Sequence, residues 1–402
     1  MKLKKIEGQF KLLTFHSIFS NSSMRKFCFL GCIVCFISCA DDTTQKVENL
    51  PIEVPKYAFD QETLVEVGSE TIWGIDAIDD FLIFTTKSGD IYTYQKNTLV
   101  QLSNPIKNSI NAAGQGGLMD IKLHPDFGQN QWVFISYSEK AEGSNFSYVT
   151  IDRLKIEGAN ITEVQTIFKT NSISSRAGHF GSRLLFHNNY LFFCIGEGSP
   201  SQGGPNSPYQ NAQDLTNDWG KIHRIYWDGS IPEDNPFYGK TNIRQSIYSF
   251  GHRNPQGLTY DATNDRIVST EHGPRGGDEI NIILSGENYG WPLVSLGVNY
   301  DGSDISGKSH ENYKEPIFSW DPSIATAQLI ALNDKSYGDW LSSYLICGLK
   351  SESIHRVAFV DDEYVEMDVI DLGARVRSIC DKGNGTFYVT TDAGKIIKFS
   401  PK

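Results

Sequence analysis

The chain has 402 residues, with 36 Lys and Arg against 48 Asp and Glu, and its formal net charge is −12. This excess of acid argues against nucleic acid as a partner, because phosphates need a basic binding face. A hydrophobic content of 39% with 12% aromatic residues excludes wholesale disorder and is sufficient for a packed core.

The first predicted element is an export signal near the amino terminus. Two basic residues, Arg25 and Lys26, precede an apolar stretch over residues 27–37. This length is typical of a signal peptide and is shorter than the roughly 20 apolar residues of a membrane span. The stretch leads to Cys39 in a pattern that resembles a bacterial lipobox, which predicts lipidation of this cysteine. A plain secretory signal and a buried hydrophobic segment are the alternatives.

These features predict the domain boundaries and the location. Residues 1–39 are the signal segment. Within it, residues 1–23 are interpreted as an extension from a misassigned start codon, with Met24 as the true initiator. Residues 40–59 are a polar tether, and residues 60–402 are the folded domain. The protein is then an exported bacterial lipoprotein, periplasmic or anchored in the outer membrane, whose only membrane contact is its lipid.

From about residue 60 onward, short strand-like runs are separated by turns rich in Gly, Asn and Asp. The hairpin over residues 81–92 recurs over residues 386–397, with Thr-Thr, the turn Gly and the following Ile at matching positions. Looser relatives cover residues 183–194 and 257–268. Such repetition favours a β-propeller, with two sandwich domains of unrelated hairpins as the alternative. The number of blades does not follow from the pattern.

Five polar or glycine-rich groups of residues are unlike ordinary strand connections. They are residues 114–118 (GQGGL), 178–183 (GHFGSR), 251–257 (GHRNPQG), 271–279 (EHGPRGGDE) running into 288–292 (NYGWP), and 348–350 (GLK) with 375–377 (RVR). Their joint presence, in this order, resembles the soluble quinoprotein glucose/sorbosone dehydrogenases, specifically the bacterial aldose sugar dehydrogenase branch. The resemblance covers roughly residues 70–400. It implies an all-β, six-bladed β-propeller of four-stranded antiparallel blades, with pyrroloquinoline quinone (PQQ) and calcium at its mouth.

The resemblance also implies a reaction, the oxidation of the C1 hydroxyl of aldose sugars to lactones. Hydride passes to the quinone, and an external electron acceptor reoxidises the cofactor. The hydroxyl proton needs a base, and a neutral imidazole is suited to accept it near pH 7. The resemblance assigns this base to His179 and places Arg253 near the quinone oxygen that gains charge. Glu197, where the family usually has Asp, is implied to orient His179.

PQQ is a planar tricarboxylate, which needs cations and planar hydrogen-bonding forks. Arg375 and Arg377 are two residues apart, so they project from the same strand face and can clamp carboxylates. Lys350 and Arg253 add positive charge. Further implied cofactor contacts are Gln115, Asn254 and Ser323. The family usually has Gly at Ser182 and Pro-Ser in place of Thr326-Ala327, so this chain departs from it close to the site.

Calcium prefers oxygen ligands, including backbone carbonyls. The resemblance assigns calcium to the carbonyls of Gly273 and Pro274, where the ion would polarise the quinone. A second calcium site is predicted at the nearby carboxylates of Glu271, Asp278 and Glu279. The alternative is that these residues stabilise a hairpin at the strand end. Zinc bound by His252 and His272 is rejected, because no third ligand has suitable spacing.

Two other functions stay open at the level of sequence. One is a non-catalytic extracellular recognition module on the same fold, since fold alone does not determine function. The other is a calcium-dependent lactonase, which would need an acidic calcium cage at the axis. The cations at this predicted mouth favour PQQ over the lactonase.

Overall fold

The computed structural model describes residues 59–199, 202–305 and 310–402. The predicted signal segment, Cys39 and nearly all of the predicted tether therefore lie outside the described residues.

Within these ranges the chain forms six four-stranded antiparallel sheets, which confirms the six-bladed β-propeller. In chain order the strands are β1 (Phe59–Glu66), β2 (Ile72–Ile78), β3 (Phe81–Thr86), β4 (Ile91–Gln95), β5 (Thr98–Leu102), β6 (Leu118–Leu123), β7 (Trp132–Lys140), β8 (Ser147–Glu157), β9 (Asn160–Lys169), β10 (Leu184–His187), β11 (Tyr190–Ile195), β12 (Lys221–Tyr226), β13 (Ile247–Phe250), β14 (Pro255–Asp261), β15 (Arg266–Glu271), β16 (Asp278–Ile283), β17 (Phe318–Trp320), β18 (Thr326–Ala331), β19 (Tyr344–Gly348), β20 (Ser353–Val360), β21 (Glu363–Asp371), β22 (Val376–Gly383), β23 (Thr386–Thr391) and β24 (Lys395–Pro401).

Helical structure is sparse in the part of the chain that the structure describes. It consists of α1 (Phe127–Asn130) and three short 3₁₀ segments at Lys107–Ser109, His310–Asn312 and Lys335–Trp340. None of the described helices has the length and apolar composition that crossing a bilayer requires.

Local sequence explains why these residues form hairpins. Strand β3 (FLIFTT) is almost wholly buried and consists of apolar, aromatic and β-branched residues, which suit a pleated surface packed on both faces. Two-residue turns such as Lys96-Asn97 and Asp361-Asp362 have positive φ at both positions. This geometry is that of a type I′ turn, whose twist matches the flanking strands.

The blades are arranged in a ring, and the core lies between neighbouring blades. The first strands of the blades (β2, β6, β10, β14, β18 and β22) contact one another in this order, and β22 contacts β2. Phe134 of β7 and Phe193 of β11 share one apolar cluster between the second and third blades. Both side chains are fully buried, and burial of a phenylalanine contributes about 1.5–3 kcal/mol.

The ring is closed by strands from the two ends of the described chain. Strand β1 pairs antiparallel with β24, so the sixth blade contains β22, β23, β24 and β1. The register joins Phe59 to Pro401 and Glu66 to Lys395. Strand β1 then forms the outer edge of this blade, and the closed ring leaves only the short outer edges typical of propellers.

A single arginine connects the inner strands across the ring axis. The guanidinium of Arg183 donates from Nη1 to Asp120 Oδ1 (2.9 Å) and Ser378 Oγ (3.1 Å), and from Nε to the Gln256 carbonyl (3.0 Å). A longer contact of 3.4 Å reaches the carbonyl of Arg377. Arg183 is only 2% exposed. It therefore ties blades two, three, four and six together and supports the backbone that carries one predicted cofactor ligand.

Candidate functional site

The predicted site residues share one place in the blade architecture. In an antiparallel blade, the residues before the first strand and those after the second strand lie at the same rim. His179 precedes β10 and Arg253 precedes β14, whereas Glu197 follows β11 and Lys350 follows β19. The topology thus brings residues from distant parts of the sequence to one mouth of the propeller.

A cleft of about 240 Å³ opens at this mouth. One water needs only about 10–15 Å³, so the cleft has room for an organic molecule. Four predicted cofactor ligands line it: Gln115, Asn254, Arg375 and Arg377. Lys350 does not line it, but it is exposed directly after the lining residue Leu349.

Sequence reasoning missed several residues that line the same cleft, namely Trp73, Lys87, Gln256, His272 and Asp392. The repeated hairpin contained a signal for two of them. Lys87 and Asp392 each come directly after the Thr-Thr pair that ends the second strand of the repeat. Equivalent positions in two blades of a propeller reach the same rim, so the repeat itself places both charges at the mouth.

The two arginines of the cleft are held by Asp392. Its carboxylate accepts from Arg375 Nε (2.9 Å), Arg377 Nε (2.9 Å) and Arg377 Nη2 (2.8 Å). Burial alone would raise the pKa of Asp392, but the hydrogen bonds and charge of Arg377 and Arg375 outweigh burial and lower it. Lys87 also lines the wall, where burial and then the charge of Arg377 lower its pKa. The wall therefore carries three cations against one carboxylate.

Two residues that line the cleft also contain buried polar atoms without a hydrogen-bond partner. The side chains of Gln256 and His272 line the cleft, and their Oε1 and Nε2 atoms, respectively, are buried without a hydrogen-bond partner. Buried polar atoms are rarely left unpaired, because each costs about 1–3 kcal/mol.

His179 lies next to the cleft in a strained loop. Its amide donates to Gln115 Oε1 at 2.8 Å, and its Nδ1 lies 3.1 Å from Glu197 Oε1. The longer Glu197 therefore keeps the contact that the family's Asp is expected to make. Burial, followed by the charges of Arg253 and His272, holds the pKa of His179 well below its ordinary value. The imidazole is consequently neutral near pH 7.

Backbone geometry explains why the family usually has glycine at position 182, where this chain has serine. His179 and Ser182 have φ values of +54° and +75°, in the left-handed region. Such a conformation costs a residue with a side chain roughly 1–2 kcal/mol and costs glycine little. Glycine is thus the unstrained choice at position 182. The Ser182 hydroxyl donates to the Phe180 carbonyl at 2.9 Å, which keeps its polar atom paired.

Arg253 is held at one of the two predicted calcium carbonyls, that of Gly273. Its Nη1 donates to the backbone oxygens of His272 (3.1 Å) and Gly273 (2.8 Å), and its Nη2 lies 3.3 Å from the Tyr300 hydroxyl. Arg253 Nε is buried without a partner. Of the two carbonyls predicted to bind calcium, that of Gly273 therefore contacts a cationic side chain in this structure.

Ser323, a predicted cofactor contact, is engaged with another loop in this structure. The Ser323 hydroxyl donates to Asp278 Oδ2 at 2.6 Å, and Ser323 does not line the cleft. The Asp278 carboxylate also accepts from the amides of Gly273 (3.0 Å), Ala325 (2.6 Å) and Thr326 (3.2 Å). Its oxygens thus join two loops, and Ser323 takes part in this junction; its predicted contact with the cofactor stays a prediction.

The predicted second calcium cage is not formed by its three carboxylates. Within the described ranges, no three His, Cys, Asp or Glu side chains converge as a metal site. Asp278 is occupied as above, and Glu271 accepts from His252 Nδ1 (2.9 Å) and the Arg253 amide. Only Glu271 and Glu279 reach a small cavity of about 20 Å³. Burial and then the charge of Glu271 raise the pKa of Glu279 to about 8.

A family model described as "Glucose / Sorbosone dehydrogenase" matches residues 69–398 of the chain. The chain belongs to the glucose/sorbosone dehydrogenase family. Within this family it is 35% identical to the aldose sugar dehydrogenase YliI of Escherichia coli over 332 residues, which cover 80% of this chain and 87% of the relative. It is 32% identical to the quinoprotein glucose dehydrogenase B of Acinetobacter calcoaceticus over 218 residues, covering 50% of this chain and 44% of the relative.

A solved structure of the family agrees with the fold. The crystal structure of the soluble aldose sugar dehydrogenase of Escherichia coli, in its apo-form, superimposes with a TM-score of 0.78 at 31% identity. The match covers 86% of this chain and 100% of that chain. The glucose/sorbosone dehydrogenase assignment thus rests on both sequence and structure.

Proposed function

We propose that the protein is a PQQ- and Ca²⁺-dependent dehydrogenase that oxidises the C1 hydroxyl of aldose sugars to lactones. Family membership and the similarity to proteins named aldose sugar dehydrogenase and quinoprotein glucose dehydrogenase support this proposal. The reaction needs a neutral base, a cationic pocket for the cofactor and a site for a hard cation. Each requirement has counterparts among the described residues.

The observation that carries the proposal is the unpaired Nε2 of His179. Among the described residues, three buried histidines hydrogen-bond to a carboxylate through Nδ1, namely His179, His252 and His355. The Nε2 of His252 is hydrogen-bonded to Ser249, and that of His355 to Ser351. No described residue hydrogen-bonds to Nε2 of His179. This neutral imidazole is therefore anchored at one nitrogen and open at the other, as a general base must be.

The chain's own residues can carry the proton step. With Glu197 accepting from Nδ1–H, the His179 tautomer has its lone pair on Nε2. This atom accepts the proton of the sugar hydroxyl, and Glu197 stabilises the imidazolium that forms. PQQ, when bound, supplies the hydride acceptor. Arg253, with its unpartnered Nε, provides positive charge beside the reacting groups.

The residues of the cleft suit a planar tricarboxylate. Arg375, Arg377 and Lys87 can pair with its carboxylates, whereas the open atoms of Gln256 and His272 can complete polar contacts with its rings. Calcium would be held by the carbonyls of Gly273 and Pro274. There it would supply a Lewis acid beside the quinone.

The pH dependence of turnover follows from the lowered pKa of His179. A base works in its deprotonated form, so activity is lost only as the pH falls through this pKa, which lies well below 6.5. We expect kcat/KM to stay level from pH 7.5 down through pH 6.5 and to decline at lower pH. Steady-state rates across this range test it, and a half-maximal point at or above pH 6.5 would contradict the assignment.

Cofactor titration tests the proposed function directly. The purified full chain is titrated with PQQ by calorimetry, with and without Ca²⁺, and is then assayed for aldose-dependent dye reduction. Stoichiometric binding that needs Ca²⁺, followed by sugar-dependent turnover, is the expected result. Absence of PQQ binding would overturn the proposal and favour a recognition module, and Ca²⁺-dependent lactone hydrolysis without PQQ would favour the lactonase.

We also propose export and lipid anchoring through Cys39. The signal-like segment and the lipobox-like pattern support this proposal. Fractionation of cells that express the wild type and Cys39→Ala tests it. We expect the wild type in the membrane fraction and the variant outside it, and equal distribution of both would exclude the anchor.

A further inference from the structure

Trp291 contacts both the partner of the proposed base and the proposed catalytic arginine. Its indole Nε1–H donates to Glu197 Oε2 at 2.9 Å. The other carboxylate oxygen of Glu197, Oε1, faces His179. The indole ring also lies under Arg253, with the guanidinium carbon 5.1 Å from the ring centroid. One side chain thus bridges the two halves of the proposed reaction centre.

Trp291 is itself fixed from several sides. Its amide donates to the Gly251 carbonyl at 2.9 Å, and its carbonyl accepts from Gln213 Nε2 at 2.7 Å. The ring is only 3% exposed and packs with Ala212 and Ile305. A side chain held in this way can transmit a defined geometry to the groups that it contacts.

We propose that Trp291 is a positioning residue. Its N–H holds the Glu197 carboxylate so that Glu197 binds His179 Nδ1 and Nε2 stays available for the substrate proton. Its ring packs against the guanidinium of Arg253. This inference rests on the proposed function. Glutamate has one more rotatable bond than the family's usual aspartate, so its carboxylate needs a second anchor to stay aligned with Nδ1. The indole N–H supplies such an anchor, because it donates to Oε2 while Oε1 faces His179.

The hydrogen bond from Trp291 also acts on the proton affinity of the base. A donor to the Glu197 carboxylate withdraws part of its negative charge from His179. Loss of this donor strengthens the pull of Glu197 on the imidazolium and raises the pKa of His179. On lowering the pH, activity would then begin to fall at a higher pH than in the wild type. Poorer alignment of His179 would lower kcat in addition.

The chain contains a matched control for this arrangement. Trp320 Nε1 donates to Glu366 Oε1 at 2.8 Å, and the same oxygen lies 2.6 Å from His355 Nδ1. Nε2 of His355 is bonded to Ser351 at 2.8 Å, and none of these four residues lines the cleft. Trp320→Phe therefore removes the same type of hydrogen bond from a Trp–Glu–His cluster without the open imidazole.

The first test compares Trp291→Phe with Trp320→Phe, since phenylalanine keeps an aromatic ring and removes the N–H. We expect Trp291→Phe to lower kcat about 10- to 100-fold, as is usual for residues that orient a reacting group. We also expect the acid limb of its pH profile to move to higher pH, while KM and the Kd for PQQ change little. Trp320→Phe should leave kcat and the pH profile unchanged.

A second test compares Glu197→Gln with the double variant Glu197→Gln/Trp291→Phe. This comparison does not depend on the Trp291→Phe single variant, so it remains informative if that variant folds poorly. In Glu197→Gln, the amide oxygen pairs with Trp291 and the amide NH₂ faces His179 Nδ1, which forces the proton onto Nε2. Without the indole N–H the amide oxygen loses its contact with Trp291, and a fraction of the molecules can turn this oxygen toward Nδ1–H, which returns the lone pair to Nε2. We therefore expect the double variant to be more active than Glu197→Gln.

The outcomes separate this inference from the proposed function. Absence of PQQ binding and sugar turnover in the wild type overturns the proposed function. An active wild type in which Trp291→Phe behaves like Trp320→Phe overturns the role of Trp291. The role of Trp291 would also be overturned if the loss of kcat in the double variant equalled the product of the losses in the two single variants.

Discussion

Replacing His179 by asparagine should lower kcat for aldose oxidation by about 10²- to 10⁴-fold, the range that general base catalysis contributes. Asparagine cannot accept the proton at the required position. It tolerates the left-handed φ of +54° found at residue 179 better than alanine does, so the loop should keep its shape. The Kd for PQQ should therefore change little.

The measurement is kcat from dye reduction together with calorimetric titration of PQQ. His355→Asn is the matched control, because His355 is equally buried and paired with a carboxylate but has both nitrogens bonded. We expect wild-type turnover from this control. If His179→Asn loses PQQ binding along with turnover, the residue holds the cofactor and is not simply the base.

Replacing Arg183 by methionine should lower the free energy of unfolding by about 3–5 kcal/mol, as expected when one partner of a buried ion pair is removed. The Asp120 carboxylate would remain buried without its charge partner, and the carbonyls of Gln256 and Arg377 would lose a donor. Unfolding in guanidinium chloride, followed by fluorescence, gives the change. Lys169→Ala, which breaks an exposed pair with Glu139, should cost less than about 1 kcal/mol.

The combination of Arg183→Met with Asp120→Asn distinguishes the ion pair from simple packing. Asparagine removes the orphaned charge and still accepts from the Leu184 amide, which now donates to Asp120 at 2.8 Å. The double variant should therefore lose less stability than the sum of the single variants. Strict additivity would show that the contact between Arg183 and Asp120 contributes little.

The propeller could be predicted from sequence because its repeated hairpins have strong local signals. The pattern Thr-Thr, turn and Ile at residues 81–92 and 386–397 corresponds to β3–β4 and β23–β24 of two blades. The blade number required the family resemblance, since the second and third strands of the third blade are separated by residues 196–220. A connection of this length hides the hairpin from any short-range pattern.

The site was predicted best where a motif fixes the backbone. His179, Arg253 and Asn254 lie in glycine-flanked segments whose position at the rim follows from the strand order. Side chains whose contacts depend on a second loop were harder to predict. Asp278 and Ser323 lie 45 residues apart and bond to each other, and no spacing rule in the sequence indicates this pairing.

The closure of the ring by β1 and β24 has a consequence for the time course of synthesis. The sixth blade needs residues 59–66 together with residues 395–401, so it cannot form until the ribosome has nearly finished the chain. At about 5–20 residues per second, the first strand waits roughly tens of seconds for its partner. Until then the nascent polypeptide has an open array of blades with an unpaired edge. A chain cut short near its carboxyl end would keep that edge and become a substrate for proteases and chaperones.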